Sequence, residues 1–269
     1  MTVGSTTRET RDSASEIKFL LKPETAAHLR ERARALLSPD PHAGGPSADE
    51  YISTTVYFDT ADYAVYGRRG SYRRAKYRIR RYDRSPEVFL ERKLRTSGMV
   101  TKRRTTVPLT DLPRLLMPDA GAGWGGAWFH ERLRLRRMDA VCQVSYLRTA
   151  RVGLTDNGPI RLTIDAQLYG LAVEAPDFAW VPGAKPLTDA CIAEMKFRGA
   201  MPAVFKRLVE ELALMPEAIS KYRLGILAAR PGVEATVAQA AAVALKNQLD
   251  NCQGVELSRK TLTRTREDA

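Results

Sequence analysis

Charged residues two positions apart recur along this chain of 269 residues. They read Glu16-x-Lys18, Arg78-x-Arg80, Glu91-x-Lys93, Lys102-x-Arg104, Arg161-x-Thr163-x-Asp165 and Glu194-x-Lys196, and Arg148 stands in a further alternating segment. Residues two apart in a β-strand share a face, so each pair points one way. Ile17, Phe19, Tyr77, Ile79, Leu90, Leu162 and Ile164 point the other way. Strands with one dry face and one face rich in Arg and Lys need an anion to neutralise them. Arg bridges two phosphate oxygens in a fixed fork and Lys acts as a mobile point charge. The chemistry such a set supports is phosphate binding and phosphoryl transfer, which rest on alignment and charge neutralisation. His28, His42 and His130 fall outside the expected strands. No histidine is therefore assigned as an acid or base.

The elements that must hold these residues are legible in outline. Lys76–Tyr82 and Val88–Leu94 alternate as strands, and Asp83-Arg84-Ser85-Pro86 between them has turn chemistry, so they form a hairpin. Val100–Val107 follows Ser97-Gly98 as a third strand. Further strands are expected at Glu16–Leu21, Ile52–Thr60, Val141–Leu154, Ile160–Asp165 and Ile192–Phe197. Pro23 opens a helix with Glu24 in its first turn and arginines near its end. Other helices are expected at Asp111–Leu116, Trp128–Met138, Ala203–Leu214 and Ala235–Leu249. The arginines of the Trp128–Met138 helix read as a solvated face. Gly121-x-Gly123-x-x-Gly126 spells a dinucleotide fingerprint, but no hydrophobic strand leads into it, so it reads as a loop.

Composition narrows the partner. The net charge is +12 with a pI near 9.8, which calls for an anionic partner. The sequence has neither the aromatic stacking run of an RNA-recognition motif nor zinc-finger spacing, so nucleic acid is disfavoured. Cys142, Cys191 and Cys252 are widely spaced and read as reduced, in a cytoplasmic protein. No run of apolar residues is long enough to span a membrane. The fold class expected is α+β: an antiparallel sheet closed into a barrel with its charges inward and its helices packed outside.

The order of these motifs, together with Tyr57-Phe58-Asp59-Thr60, Tyr146-x-Arg148 and Ser220-Lys221, resembles the VTC domain of polyphosphate polymerases, within the triphosphate tunnel metalloenzyme (CYTH-like) superfamily. The resemblance implies an eight-stranded antiparallel tunnel over residues 15–228. Residues 1–14 are expected as a disordered lead, 229–255 as a C-terminal helix and 256–269 as a charged tail. By similarity, Arg78, Arg80, Lys93, Arg148 and Lys221 would be catalytic. Lys18, Lys102, Arg104, Arg161, Lys196 and Ser220 would bind phosphate. Glu194 would lead a Mn²⁺ or Mg²⁺ site, with Glu16 and Glu91 as helpers. The implied reaction transfers the γ-phosphoryl of ATP to inorganic polyphosphate. A metal-dependent triphosphatase and a non-catalytic polyphosphate- or RNA-binding module are the alternatives. The implied setting is cytoplasmic or peripheral to the inner face of the membrane, with room for a membrane-protein partner. Hydrolytic members open with Glu-x-Glu-x-Lys; here Ala14 stands at the first of those positions, which weakens hydrolysis.

Overall fold

The computed structural model describes residues 7–12, 14–45, 47–96, 99–121, 123–178 and 184–243. In chain order the strands are β1 (Thr7–Asp12), β2 (Ser15–Leu21), β3 (Ser38–Pro39), β4 (Glu50–Asp59), β5 (Ala75–Tyr82), β6 (Glu87–Thr96), β7 (Met99–Pro108), β8 (Asp139–Thr155), β9 (Gly158–Ala172), β10 (Lys185–Pro186) and β11 (Cys191–Phe197). The α-helices are α1 (Pro23–Leu36), α2 (Ala127–Leu135), α3 (Ala203–Glu211) and α4 (Lys221–Ala229). Two 3-10 helices span Gly70–Arg74 and Leu109–Leu116, and residues 233–243 are also helical. The expected Ala235–Leu249 helix lies outside the described residues from position 244 onward. No described helix is long and apolar enough to cross a membrane.

The sheet runs in the order β1-β7-β6-β5-β4-β8-β9-β11-β2, all antiparallel, with β3 on β8 and β10 on β9. It cannot be flat. β6 and β2 are six steps apart along this path, which in a flat sheet is about 28 Å. Lys93 of β6 nonetheless reaches Glu16 of β2 at 3.1 Å. The end strands β1 and β2 lie eight steps apart, yet Asp12 and Ser15 are three residues apart in sequence. Three residues reach at most about 11 Å, so the sheet's two ends meet.

The ladder differs from the expected eight-stranded closed barrel in two ways. It holds eleven strands, and among the described residues hydrogen bonds do not close it, because β1 pairs only with β7 and β2 only with β11. The other edge of β2 takes a single bridge from Phe19 to Pro216 and a bond from Glu217 N–H to the Lys18 carbonyl at 2.8 Å. β1 itself falls inside the stretch expected as a disordered lead. It carries no apolar alternation and is held by its ladder with β7, a 2.8 Å bond between Thr7 Oγ1 and Thr105 Oγ1, and Arg92 against Glu9 at 3.7 Å. Local hydrophobicity is blind to such support.

Two apolar clusters cover the outer face. Phe19, Leu21, Leu162, Ile164, Ala193 and Met195 pack under α1 and α3 through Leu29, Ala33, Phe205 and Leu208. Val56, Phe58, Tyr77, Ile79, Val88 and Leu90 pack under α2 and α4 through Phe129, Leu133, Tyr222 and Ile226. Burial of apolar area at about 25 cal/mol per Å² holds the helices outside, which leaves the concave face to the polar half of each strand. α1 starts at Pro23, carries Glu24 in its first turn and ends with Arg34 in its last, as its dipole favours. On α2, Arg132 and Arg134 are exposed, and His130 is buried against the Met117 carbonyl at 2.9 Å. Cys142 and Cys191 are free thiols and both are buried; Cys252 lies outside the described residues.

Candidate functional site

Ladder register sets the polar residues of the concave face side by side. Lys76 of β5, Lys93 of β6 and Lys102 of β7 form one row; Arg78, Glu91 and Arg104 form the next. Arg148 of β8 pairs with Asp165 of β9. Glu194 and Lys196 of β11 pair with Lys18 and Glu16 of β2. The curl then brings the β5–β7 rows against β2.

Each carboxylate gathers several cations. Glu91 is 1% exposed and takes Arg78 Nε at 2.7 Å on one oxygen, with Arg104 Nε at 2.6 Å and Lys102 Nζ at 2.7 Å on the other. Burial opposes its ionisation, but Arg78, Arg80, Lys102 and Arg104 outweigh burial and hold it well below the usual carboxylate range. Asp165, fully buried, receives Arg148 in a two-point fork at 2.6 and 2.8 Å and Lys221 Nζ at 2.5 Å. Glu16 and Glu194 share two ammonium groups. Lys18 lies 3.1 Å from Glu16 and 3.7 Å from Glu194; Lys196 lies 3.6 and 3.1 Å from them. Lys93 adds a third contact to Glu16. Burial and the neighbouring Glu194 raise the Glu16 pKa, and Lys196, Lys93 and Lys18 outweigh them, taking it to about 2.

The cations remain in excess; against burial, their neighbours hold Lys18, Arg78, Arg80 and Arg148 above their ordinary proton affinity, while Lys76 and Lys102 are lowered. Burial and then the charges of Lys18, Lys93, Arg78 and Arg68 push Lys76 down to about 7. Lys76 is exposed by area, so it stands at a rim where cations crowd it while water still reaches it. Burial, offset in part by Glu91 and reinforced by Arg104 and Arg78, brings Lys102 to about 8. Arg80 is buried; its Nε donates to Thr55 Oγ1 at 3.1 Å and its guanidinium also bonds Tyr82.

α4 delivers two more groups. Ser220 is its N-cap, accepting the Arg223 N–H at 3.4 Å and Lys76 Nζ at 3.1 Å. Lys221, one residue on, crosses to Asp165 over the Tyr146 ring, with Nζ 5.1 Å from the ring centroid. Arg148 lies 5.1 Å from the same centroid. Tyr146 sits where the β8–β9 register shifts, between Ser145 and Leu147, which turns its side chain into the site. Asp59, fully buried, accepts N–H bonds from Thr60 and Val65 at 2.8 Å and Tyr66 at 3.0 Å, and a bond from the Tyr222 hydroxyl. This locks α4 to the turn after β4 and so fixes where Lys221 starts.

Of the residues expected from sequence, Lys18, Arg78, Arg80, Lys93, Lys102, Arg104, Arg148, Lys196, Ser220, Lys221, Glu16, Glu91 and Glu194 come together. Arg161 does not join a shared carboxylate cluster. It is 39% exposed and bonds Asp40 at 2.7 Å and the Tyr51 hydroxyl at 2.8 Å. Lys76 could have been read by extending the Arg78-x-Arg80 series one step back. Asp165 was visible on a polar face, but nothing local marks it as the counter-ion of Lys221. Tyr146 was legible only through its two-residue spacing from Arg148, which the structure keeps beside its ring. Among the described residues no group of three or more His, Cys, Asp or Glu could hold a metal ion.

Comparison with known proteins gives a family. The family profile described as the VTC domain matches residues 13–230. No protein with a curated description matches the chain. Among solved structures, the Bacillus halodurans protein bh2851 aligns with a TM-score of 0.48 and 13% identity over 78% of this chain and 95% of that one. The Hippeastrum protein HpAC1, described with a dominant triphosphatase activity, aligns at 0.44 and 14% over 81% and 98%. PH1819 from Pyrococcus horikoshii aligns at 0.41 and 14% over 78% and 97%.

Proposed function

The chain belongs to the VTC domain family, and from that premise we propose that it is an ATP-dependent polyphosphate polymerase. The concave face forms the tunnel in which the γ-phosphoryl of ATP is transferred to the end of an inorganic polyphosphate chain, releasing ADP. One observation carries this reading. On that face Lys18, Lys76, Arg78, Arg80, Lys93, Lys102, Arg104, Arg148, Lys196 and Lys221 outnumber Glu16, Glu91, Asp165 and Glu194 by more than two to one, and burial together with like charge depresses Lys76 and Lys102. A polyanion relieves that surplus, each charge-assisted contact contributing roughly 1.5–3 kcal/mol.

Arg80 lacks a carboxylate partner and is the guanidinium most ready to bind a phosphoryl oxygen. Arg148 and Lys221 are aimed by Asp165, and Arg78 and Arg104 by Glu91, so their forks are set before substrate arrives. Lys93, Lys102, Lys18 and Lys196 neutralise the phosphates on either side. Arg161, at a rim, serves the chain further out. A terminal phosphate is already an anionic nucleophile, so no general base is required.

The metal implied by the family fits part of the expected donor set. Glu16 and Glu194 are ionised oxygen donors close enough to share Lys18 and Lys196, which suits a hard divalent cation. Glu91 does not fit, because it is 1% exposed and held by two arginines and Lys102, whereas the contacts of Glu16 and Glu194 are to flexible lysines. Bound Mn²⁺ or Mg²⁺ would supply charge neutralisation at phosphate oxygens. Incubating the protein with ATP and Mn²⁺ tests the proposal: a ladder of polymer on a gel is expected. Orthophosphate release with no polymer would overturn it in favour of a triphosphatase.

A further inference from the structure

The cationic rows do not stop where the ladder stops. Along β6 the inward residues run Glu91, Lys93 and then Arg95; along β5 they run Arg78 and Lys76, and Arg74 stands two residues earlier in the 3-10 turn that feeds the strand. Lys76 pairs with Lys93 and Ala75 with Leu94, the last rung of this ladder, so Arg74, just before Ala75, and Arg95, just after Leu94, both stand at its end. Like charges placed opposite one another on neighbouring strands repel. Arg68 lies close enough to Lys76 to help depress its proton affinity. Arg68, Arg74 and Arg95 are all exposed. Among the described residues none of the three side chains makes a hydrogen bond or ion pair, whereas that of Arg69, between them in sequence, is bound to Asp62. Arg74 stands two residues before Lys76, which meets Ser220, and Arg95 two residues beyond Lys93, the ladder partner of Lys76.

We propose that Arg68, Arg74 and Arg95 form a binding strip outside the tunnel mouth that holds the segment of a linear polyphosphate chain extending beyond it. The inference rests on the proposed function, since it needs a chain threading that mouth. Continuity singles out this occupant. Arg74 and Arg95 follow Lys76 and Lys93 at the two-residue spacing of the inward rows, and a polymer leaving past Lys76 meets them next. A chain too short to leave the tunnel does not touch it.

The test compares tripolyphosphate with long-chain inorganic polyphosphate. The triple variant Arg68→Gln, Arg74→Gln, Arg95→Gln should lose roughly tenfold in affinity for the long chain and have a shallower salt dependence, while its tripolyphosphate affinity stays within about twofold of wild type. A control removing the same charge elsewhere, Lys22→Gln, Arg84→Gln, Lys206→Gln, takes exposed residues from other surfaces and should bind both as wild type does. Equal losses in the two variants, or an unchanged preference for long chains in the first, would overturn the strip. So would readier displacement of the long chain from it by single-stranded RNA than by unlabelled polyphosphate. Arg80→Ala separates the two failures: if it leaves tripolyphosphate binding untouched, the tunnel reading itself fails.

Discussion

Lys221 Nζ lies 2.5 Å from Asp165 Oδ2, an ion pair that ties the first residue of α4 to the middle of β9. Asp165 is the shared anchor of Lys221 and Arg148, and both side chains are nearly buried. Asp165→Asn leaves two cations facing each other with one neutral partner. Breaking a buried pair in this way costs about 3 kcal/mol or more, so a lower melting temperature is expected for the empty protein. Tripolyphosphate should restore more stability to the variant than it adds to wild type. An equal thermal shift in the two proteins would contradict the assignment of Arg148 and Lys221 to phosphate.

Arg80 and Arg78 should part company on substitution. Arg80 bonds the Thr55 and Tyr82 side chains and, among the described residues, forms no direct ion pair with a carboxylate, so Arg80→Ala orphans no carboxylate and stability should hold. Tripolyphosphate affinity should fall roughly ten- to a hundredfold, the worth of one charge-assisted contact at about 1.5–3 kcal/mol. Arg78→Ala strips one partner from Glu91 and should destabilise the fold as well. Calorimetric titration and thermal unfolding on both variants check the contrast.

The depressed lysines predict a pH dependence. Lys76 titrates near 7 in the folded protein against 10.5 for its ordinary value, and Lys102 near 8. Between those values the unfolded chain binds more protons than the folded one, so stability of the empty protein should rise with pH across that window. Anion binding needs the protonated forms, so these two groups should weaken affinity as pH climbs through 7 to 8. Lys76→Arg keeps its charge and should remove its share of both trends. A variant with the same pH profile as wild type would refute the assignment.

Metal binding should distinguish the glutamates. Glu194→Gln is expected to abolish Mn²⁺ binding in the presence of tripolyphosphate, read by the Mn²⁺ electron paramagnetic resonance signal, whereas Glu91→Gln should keep it. The reverse pattern would move the metal to Glu91 and require Arg78, Lys102 and Arg104 to let go.

Much of the face was legible before the fold. Arg78-x-Arg80, Glu91-x-Lys93 and Glu194-x-Lys196 alternate with buried apolar residues, and a strand's period of two is a local property that any stretch of sequence carries. The Trp128–Met138 stretch also kept its arginines in solvent, because a helix with Phe129 and Leu133 buried must turn its other side outward. β1 was not legible, because its support is a partner ladder almost a hundred residues away and not its own composition.

Sequence alone determined which residues lie on the cationic side of each strand and how far cations exceed carboxylates, since both follow from residue type and spacing. Only the tertiary structure decided who meets whom. Lys93 reaches Glu16 across 77 residues because the sheet curls through six strand positions. Lys221 reaches Asp165 because Asp59 and Tyr222 pin the start of α4. A single strand encodes neither the curvature of the sheet nor the landing place of a helix. Both come from burying the apolar outer face, and that sum is completed only when every strand and helix is in place.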